Sequence, residues 1–79
     1  MITAADVSER LGEVPFAPFE IVTSSGVKYL VRHPEMCWVT RRVVYLGLYT
    51  ANNVKIPHES ISISVLHIAA LCGVEQAVA

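Results

Sequence analysis

Apolar and polar residues follow two different periods along this chain. Between Phe19 and Val31 they alternate every second residue, which is the period of a half-buried β-strand. Ser24-Ser25-Gly26 interrupts the alternation with residues typical of a tight turn, and Gly26 can adopt a positive φ. The pattern predicts an antiparallel hairpin.

A helical period precedes the hairpin. Thr3 is a good N-cap, and Asp6 three residues later gives a weaker version of the capping box. Val7 and Leu11 are four residues apart and share one face of a helix. We expect two helical turns over residues 4–11, which need docking against the rest of the domain to persist.

Prolines mark the entry to the hairpin and its exit. Residues 15–19 (Pro-Phe-Ala-Pro-Phe) are not regular helix, because two prolines fix φ and remove two donors. An extended segment with both Phe rings turned to the core is expected, and a proline-rich ligand motif is the alternative. Pro34 then interrupts the second strand, yet the alternation resumes over residues 36–40, so we expect one bent strand or two strands meeting there.

Residues 43–49 are apolar on both faces apart from Gly47. A strand with two apolar faces is expected to be covered on both sides. One face can pack inside the domain, whereas the other needs the N-terminal helix or another subunit. Gly47 indicates a bulge or a close approach of the backbone.

The last third of the chain contains one clear strand and one ambiguous segment. Serine alternates with isoleucine over residues 60–64, which predicts a half-exposed strand after a turn at 50–53 and a loop or short edge segment at 54–59. Residues 65–67 are expected to form a one-turn 3₁₀ crossing before a short strand at 68–71. A helix over 65–72 is the alternative, since Leu and Ala allow it.

The order of elements predicts a mainly β fold. One short N-terminal helix followed by about five strands, with a single-turn crossing before the last, is the order of a small SH3-like or Sm-like barrel. We expect one domain over residues 1–79, with a β core at about 16–71 and a C-terminal tail at 73–79. The expected inner face consists of Val7, Leu11, Phe16, Phe19, Ile21, Tyr29, Val31, Val44, Leu46, Ile61, Ile63 and Ile68.

Composition adds an expectation of self-association. The chain has 79 residues, is 53% apolar and has a mean hydropathy of +0.48, more apolar material than a small monomer comfortably buries. We therefore expect a homo-oligomer or a protein partner. The longest apolar run has seven residues, against about 18 for a membrane span. With no signal-peptide pattern either, the sequence predicts a cytoplasmic protein without membrane contact.

Two surfaces are candidates for binding. The net charge is −1, so no overall field steers the chain to nucleic acid. The middle of the chain is nevertheless basic, and an aromatic residue among arginines suits single-stranded RNA. The candidate nucleic-acid or partner surface consists of Lys28, Arg32, Trp38, Arg41 and Arg42. The candidate self-association surface consists of Val43, Tyr45 and Tyr49. For the basic residues, the alternative is that they are ordinary charges facing solvent. For Trp38, the alternative is a position in the core or in a protein interface.

Catalytic chemistry has little support in the sequence. His33 and Cys37 lie four residues apart, which on a strand is about 13 Å and too far for one metal ion unless the corner at Pro34 folds them together; no Cys-x₂-Cys pair is present. Cys37 lies in an apolar run, where a thiol is inert. Glycines are isolated, so no phosphate loop is expected. We predict no catalytic residues, no metal, no cofactor and no small-molecule substrate, and we expect Cys37 and Cys72 to be reduced and buried.

A series of short motifs extends over residues 11 to 71. It consists of Pro-Phe-x-Pro-Phe (15–19), a Ser-x-Gly turn (24–26), Val-Arg-His-Pro-Glu (31–35), Arg41-Arg42, Gly47-Leu48 and Leu66-His67-Ile68. In this pattern the chain resembles a group of small uncharacterised bacterial proteins. The resemblance brings no activity with it. Ser25 and Ala70 stand where such chains often have Asp and Arg, which weakens any inference of a basic surface.

Two hypotheses of function follow. The first is a non-enzymatic interaction module that associates with itself through the strand at 43–49 or a neighbouring edge. The second is an Sm-like binder of single-stranded RNA that uses Arg32, Trp38, Arg41 and Arg42.

Overall fold

A computed structural model describes residues 1–49, 57 and 59–74. The turn expected at 50–53, most of the loop expected at 54–59 and the tail beyond residue 74 lie outside the described residues. The regular elements are α1 (Ala4–Leu11), β1 (Phe19–Thr23), β2 (Lys28–Val31), β3 (Cys37–Val39), β4 (Val43–Leu48), β5 (Glu59–Ser64) and β6 (Ile68–Gly73). Two one-turn 3₁₀ helices, Pro34–Met36 and Val65–His67, stand before β3 and β6.

The helix α1 forms over the residues for which it is predicted, and its capping box is complete. The Asp6 N–H donates to Thr3 Oγ1 at 3.2 Å, and Asp6 Oδ2 accepts from the Thr3 N–H at 2.8 Å. The hydrogen bonds from the backbone and side chain of Thr3 lower the pKa of Asp6. Val7 is fully buried and docks the helix on the strands.

Six strands form two antiparallel sheets, in the orders β2-β1-β6 and β3-β4-β5. The predicted hairpin is present as β1 and β2, and Gly26 has a φ of 88° in the turn between them. A bulge between Val22 and Thr23 interrupts the β1–β6 ladder. The prediction of a mainly β chain with one short helix is thus confirmed.

The 3₁₀ helices separate consecutive strands that belong to different sheets. Pro34–Met36 lies between β2 and β3, so two strands meet at Pro34 instead of one strand bending there. Val65–His67 lies between β5 and β6, as predicted. The alternative of a helix over 65–72 is wrong. Because β6 extends to Gly73, and the Val74 N–H donates to the Pro18 carbonyl at 3.3 Å, the expected start of the tail at 73 is also wrong.

The core lies between the sheets and α1. Eight of the predicted inner residues are buried, and the partly buried Phe16 packs edge-on against Phe19 with ring centroids 6.1 Å apart. Leu11, Tyr29 and Ile61 are also partly buried against the core. Cys37 is buried as well, as expected for its thiol, and Val65 is buried although it was not predicted. The buried residues are Val7, Phe19, Ile21, Val31, Cys37, Val44, Leu46, Ile63, Val65 and Ile68.

Within the chain, the described residues cover one face of the central strand β4. Val44 and Leu46 are 0% and 1% exposed, whereas Tyr45 on the opposite face is 46% exposed. Of the two alternatives expected for this outer face, the N-terminal helix does not cover it, because α1 packs mainly against β3; cover by another subunit stays a prediction. The predicted close approach at Gly47 is confirmed, since a Cβ there would lie 3.2 Å from Cε1 of Tyr49 and 3.3 Å from Cβ of Pro57.

We predict that Val44→Asp abolishes folding, whereas Tyr45→Asp does not. The Val44 side chain is fully buried, so the substitution would leave an unpaired charge in the core, which costs more than about 4 kcal/mol. Tyr45 occupies the next position on the same strand but faces outward. Far-UV circular dichroism with urea titration would measure both variants. A native spectrum for Val44→Asp would contradict the assigned face of β4.

Candidate interaction surfaces

Two exposed aromatic side chains stand side by side on the outer face of the β3-β4-β5 sheet. Trp38 pairs with Tyr45 across β3 and β4, and Tyr45 pairs with Ser62 across β4 and β5. Trp38 is 74% exposed and Tyr45 46% exposed, while the flanking Cys37 and Leu46 are buried on the opposite face. We call this surface the aromatic face and define it by Trp38, Val43, Tyr45 and Ser62.

The turn between β3 and β4 puts two arginines at one end of the aromatic face. Arg41 and Arg42 are both exposed. Thr40 holds the turn closed, because its N–H and its hydroxyl donate to the Val43 carbonyl at 2.8 and 2.9 Å. The Arg42 carbonyl in turn accepts the Val65 N–H at 2.9 Å, which ties the turn to the second 3₁₀ helix.

The other two predicted basic residues lie elsewhere. Lys28 begins β2 and pairs with Val22 in the other sheet. Arg32 follows β2, directly before the corner at Pro34. Both are exposed. The five candidates for a nucleic-acid surface are therefore divided between two sheets, and only Trp38 belongs to the same hairpin as the two arginines of the turn.

The candidate self-association residues partly coincide with this surface. Val43 is half-buried and Tyr45 is exposed, and both belong to the aromatic face. Tyr49 follows β4, is half-buried and approaches Gly47. Sequence reasoning assigned Trp38 and Tyr45 to separate surfaces. The Arg41-Arg42 pair between two apolar segments is the sequence signal for a turn, and pairing the two strands outward from that turn sets Trp38 opposite Tyr45.

Sequence reasoning did not identify which strands lie at the four sheet edges. These are β2, β3, β5 and β6, of which β2 and β3 are short, with four and three residues. In the described part of the chain, β5 pairs only with β4, and β6 pairs only with β1. Both strands are six residues long. Their sequences, Glu-Ser-Ile-Ser-Ile-Ser and Ile-Ala-Ala-Leu-Cys-Gly, contain one charged residue, Glu59, and no proline. Edge strands of monomeric proteins usually carry charges, prolines or other features that block pairing.

The histidines of the described residues have backbone roles. The ring of His33 makes no capping hydrogen bond to the 3₁₀ helix, whereas its carbonyl accepts the Met36 N–H at 3.1 Å. His67 is exposed, and its carbonyl accepts the Ser24 N–H at 2.7 Å. Within residues 1–49, 57 and 59–74, no three His, Cys, Asp or Glu side chains converge to hold a metal ion.

The two cysteines are free thiols in different environments. Cys37 is buried, and this burial raises its pKa from 9.0 to about 11. The neutral thiol therefore stabilises the folded chain fully below about pH 9.0, and that contribution is lost as the pH rises toward about 11. Cys72 is exposed, so the expectation of two buried thiols is wrong. It pairs with Glu20, which places it on the outer face, next to the inward Leu71.

Comparison of the chain with family models, with curated proteins and with solved structures finds no match in any of the three. Among the described residues, the helical segments are all too short or too polar to cross a membrane.

We predict that one thiol of the folded protein reacts with Ellman's reagent at pH 8. Cys72 is exposed, whereas Cys37 is buried and, with a pKa of about 11, is about 0.1% ionised at that pH. The second thiol should react only after unfolding in guanidinium. As a control, Cys72→Ser should remove the fast phase alone. Rapid reaction of two thiols in the wild type would contradict the burial of Cys37.

We predict that His33→Ala changes the free energy of unfolding by less than about 0.5 kcal/mol, because its ring caps nothing. Thr3→Ala is the matched control. Its hydroxyl caps α1, so its loss should lower stability by about 1 kcal/mol. Urea denaturation measures both variants. A larger loss for His33→Ala than for Thr3→Ala would show that the His33 ring has a structural partner.

Proposed function

We propose that this protein is a non-enzymatic interaction module that assembles with copies of itself through its open sheet edges. The observation that carries the proposal is that β5 and β6, the two longest of the four edge strands, have no second pairing partner among the described residues and carry a single charge between them. Each edge offers a row of backbone donors and acceptors. Pairing β5 or β6 with a strand of a second copy satisfies these groups without changing the fold.

A small SH3-like or Sm-like barrel is the architecture that we propose for the two sheets. Support comes from the corners, because the chain passes from one sheet to the other through a single 3₁₀ turn at Pro34–Met36 and again at Val65–His67. Strands that change sheets at such corners are typical of small barrels. The Ser24 hydroxyl also donates to the His67 carbonyl at 3.0 Å, which joins the β1–β2 turn to the second corner.

Two further parts of the proposal, the location of the protein and its group of related proteins, come from the sequence. A cytoplasmic location agrees with the two free thiols, since reducing compartments keep cysteines unpaired. Membership of the group of small bacterial proteins that share the Pro-Phe-x-Pro-Phe and His-Pro-Glu pattern remains a proposal.

Lysine substitutions on the edge strands test the assembly. We predict that Ser60→Lys on β5 and Ala69→Lys on β6 shift the protein toward monomer, because an exposed lysine on an edge strand opposes pairing. Ser8→Lys on the exposed side of α1 adds the same charge away from the edges and should leave the assembly unchanged. Sedimentation velocity over a range of concentrations measures the mass. A wild type that remains monomeric at 100 µM would overturn the proposal.

Binding of single-stranded RNA is the second candidate function. It is favoured by one observation, the 74% exposure of Trp38 on the hairpin that carries Arg41 and Arg42. A tryptophan in this position can stack on a base while the arginines contact phosphates. Had Trp38 been buried, this candidate would have had no aromatic platform.

A further inference from the structure

We infer that the aromatic face is the RNA-binding site, with Trp38 and Tyr45 each stacking on one base and Arg41 and Arg42 contacting the adjacent phosphates. This inference rests on the second candidate function and is independent of assembly through the edges. It also reduces the basic part of the predicted nucleic-acid surface to Arg41 and Arg42, because Lys28 and Arg32 take no part in the site.

The two aromatic residues form one platform because they are direct cross-strand partners. Trp38 and Tyr45 lie opposite each other in the antiparallel register, so their Cβ atoms are about 5 Å apart. Both side chains point away from the core and remain exposed. Rings this close together can be reached by consecutive nucleotides of one strand. Base stacking on aromatic rings tolerates any sequence, so the site is expected to be sequence-independent.

Only one end of the β3–β4 hairpin carries the positive charge that attracts a polyanion. Arg41 and Arg42 form the turn where β3 ends and β4 begins. Glu35 and Glu59, the acids that adjoin this sheet, lie at the opposite end, since Glu59 pairs with Leu48 and Glu35 precedes β3. The phosphates beside the stacked bases are therefore expected to run toward the turn.

The size of the aromatic face favours a few nucleotides over a second copy of the chain. Two strands about 20 Å long and one about 10 Å long, spaced about 4.8 Å apart, present roughly 240 Å². A stable protein–protein interface buries about 800 Å² on each partner. This face alone is less than half of that, whereas two stacked bases and their phosphates fit within it.

Serine hydroxyls beside the aromatic rings favour RNA over DNA. Ser62 is exposed and pairs directly with Tyr45. A hydroxyl is both a donor and an acceptor, and the ribose 2′-hydroxyl is the group that distinguishes the two nucleic acids. A sugar attached to the base on Tyr45 can bring its 2′-hydroxyl to Ser62.

Titration with hexamers of uridine and deoxyuridine, which differ only in the 2′-hydroxyl, tests the inference. Binding is measured by quenching of Trp38 fluorescence and, for variants that lack Trp38, by anisotropy of a labelled hexamer in 20 mM salt. We expect tighter binding of oligo(U) than of oligo(dU). Trp38→Ala and Tyr45→Ala should each weaken binding about tenfold or more. Arg41→Ala and Arg42→Ala should each weaken it and lower the salt dependence by about 0.7 in log–log slope.

Two matched controls, Lys28→Ala and Ala69→Lys, and one further test variant, Ser62→Ala, accompany these variants. Lys28→Ala removes a positive charge from the other sheet and should leave the affinity for the hexamer within about twofold. Ser62→Ala should reduce the preference for oligo(U) while oligo(dU) binding stays the same. Ala69→Lys, the edge variant, should bind the hexamer like the wild type whether or not it assembles, so failure of the assembly proposal leaves this result intact.

Several outcomes would overturn the inference. These are no binding of the oligo(U) hexamer at 100 µM protein, equal affinity for the two hexamers, and equal loss in Lys28→Ala and Arg41→Ala. A change of oligomeric state in Trp38→Ala or Tyr45→Ala without a change in hexamer affinity would instead make the aromatic face a contact between copies. In that case too the assignment to RNA is wrong.

Discussion

The turn between β3 and β4 determines which side chains are buried and which remain available for binding. Its closure by the N–H and hydroxyl of Thr40 on the Val43 carbonyl sets Val39 opposite Val44 and Trp38 opposite Tyr45. Side chains alternate between faces along a strand, so a shift of one residue in either strand would exchange its two faces. The core and the aromatic face are therefore two consequences of the same turn.

Small size explains why so much apolar surface remains outside the core. Only ten apolar side chains are buried among the described residues, and they are contributed by two three-stranded sheets, one helix and a 3₁₀ corner. A domain of this length hides only slightly more than 60% of its chain surface. Surplus apolar residues must then face solvent, another copy or a ligand. Leu66 illustrates this, because it is 76% exposed next to the buried Val65.

Local patterns predicted the elements, but not the pairing across the sheets. The capping box at Thr3, the Ser-Ser-Gly turn and the Ile-Ser alternation are all local signals, and each element they predict is present. The pairing of β1 with β6, by contrast, joins residues about 50 positions apart and has no local signal. Open edges follow from that pairing, so they could not be predicted either. Val65 was missed for a related reason: the inward period of Ile61 and Ile63 continues into the 3₁₀ turn, where no strand pattern was expected.

The proposed assembly uses an edge of the β3-β4-β5 sheet, whereas the proposed RNA site uses the outer face of that sheet. Backbone donors and acceptors of β5 point within the plane of the sheet, whereas Ser62 and Tyr45 project perpendicular to it. A second copy added along the edge would therefore leave the aromatic face open, and under the proposed RNA binding each added copy would contribute another two-base platform. Sites linked in this way bind a long strand more tightly than a short one, because every contact after the first is intramolecular. Assembly would thus raise the affinity for long single strands above that of one weak, sequence-independent site. Titration with a hexamer would measure the affinity of the single site.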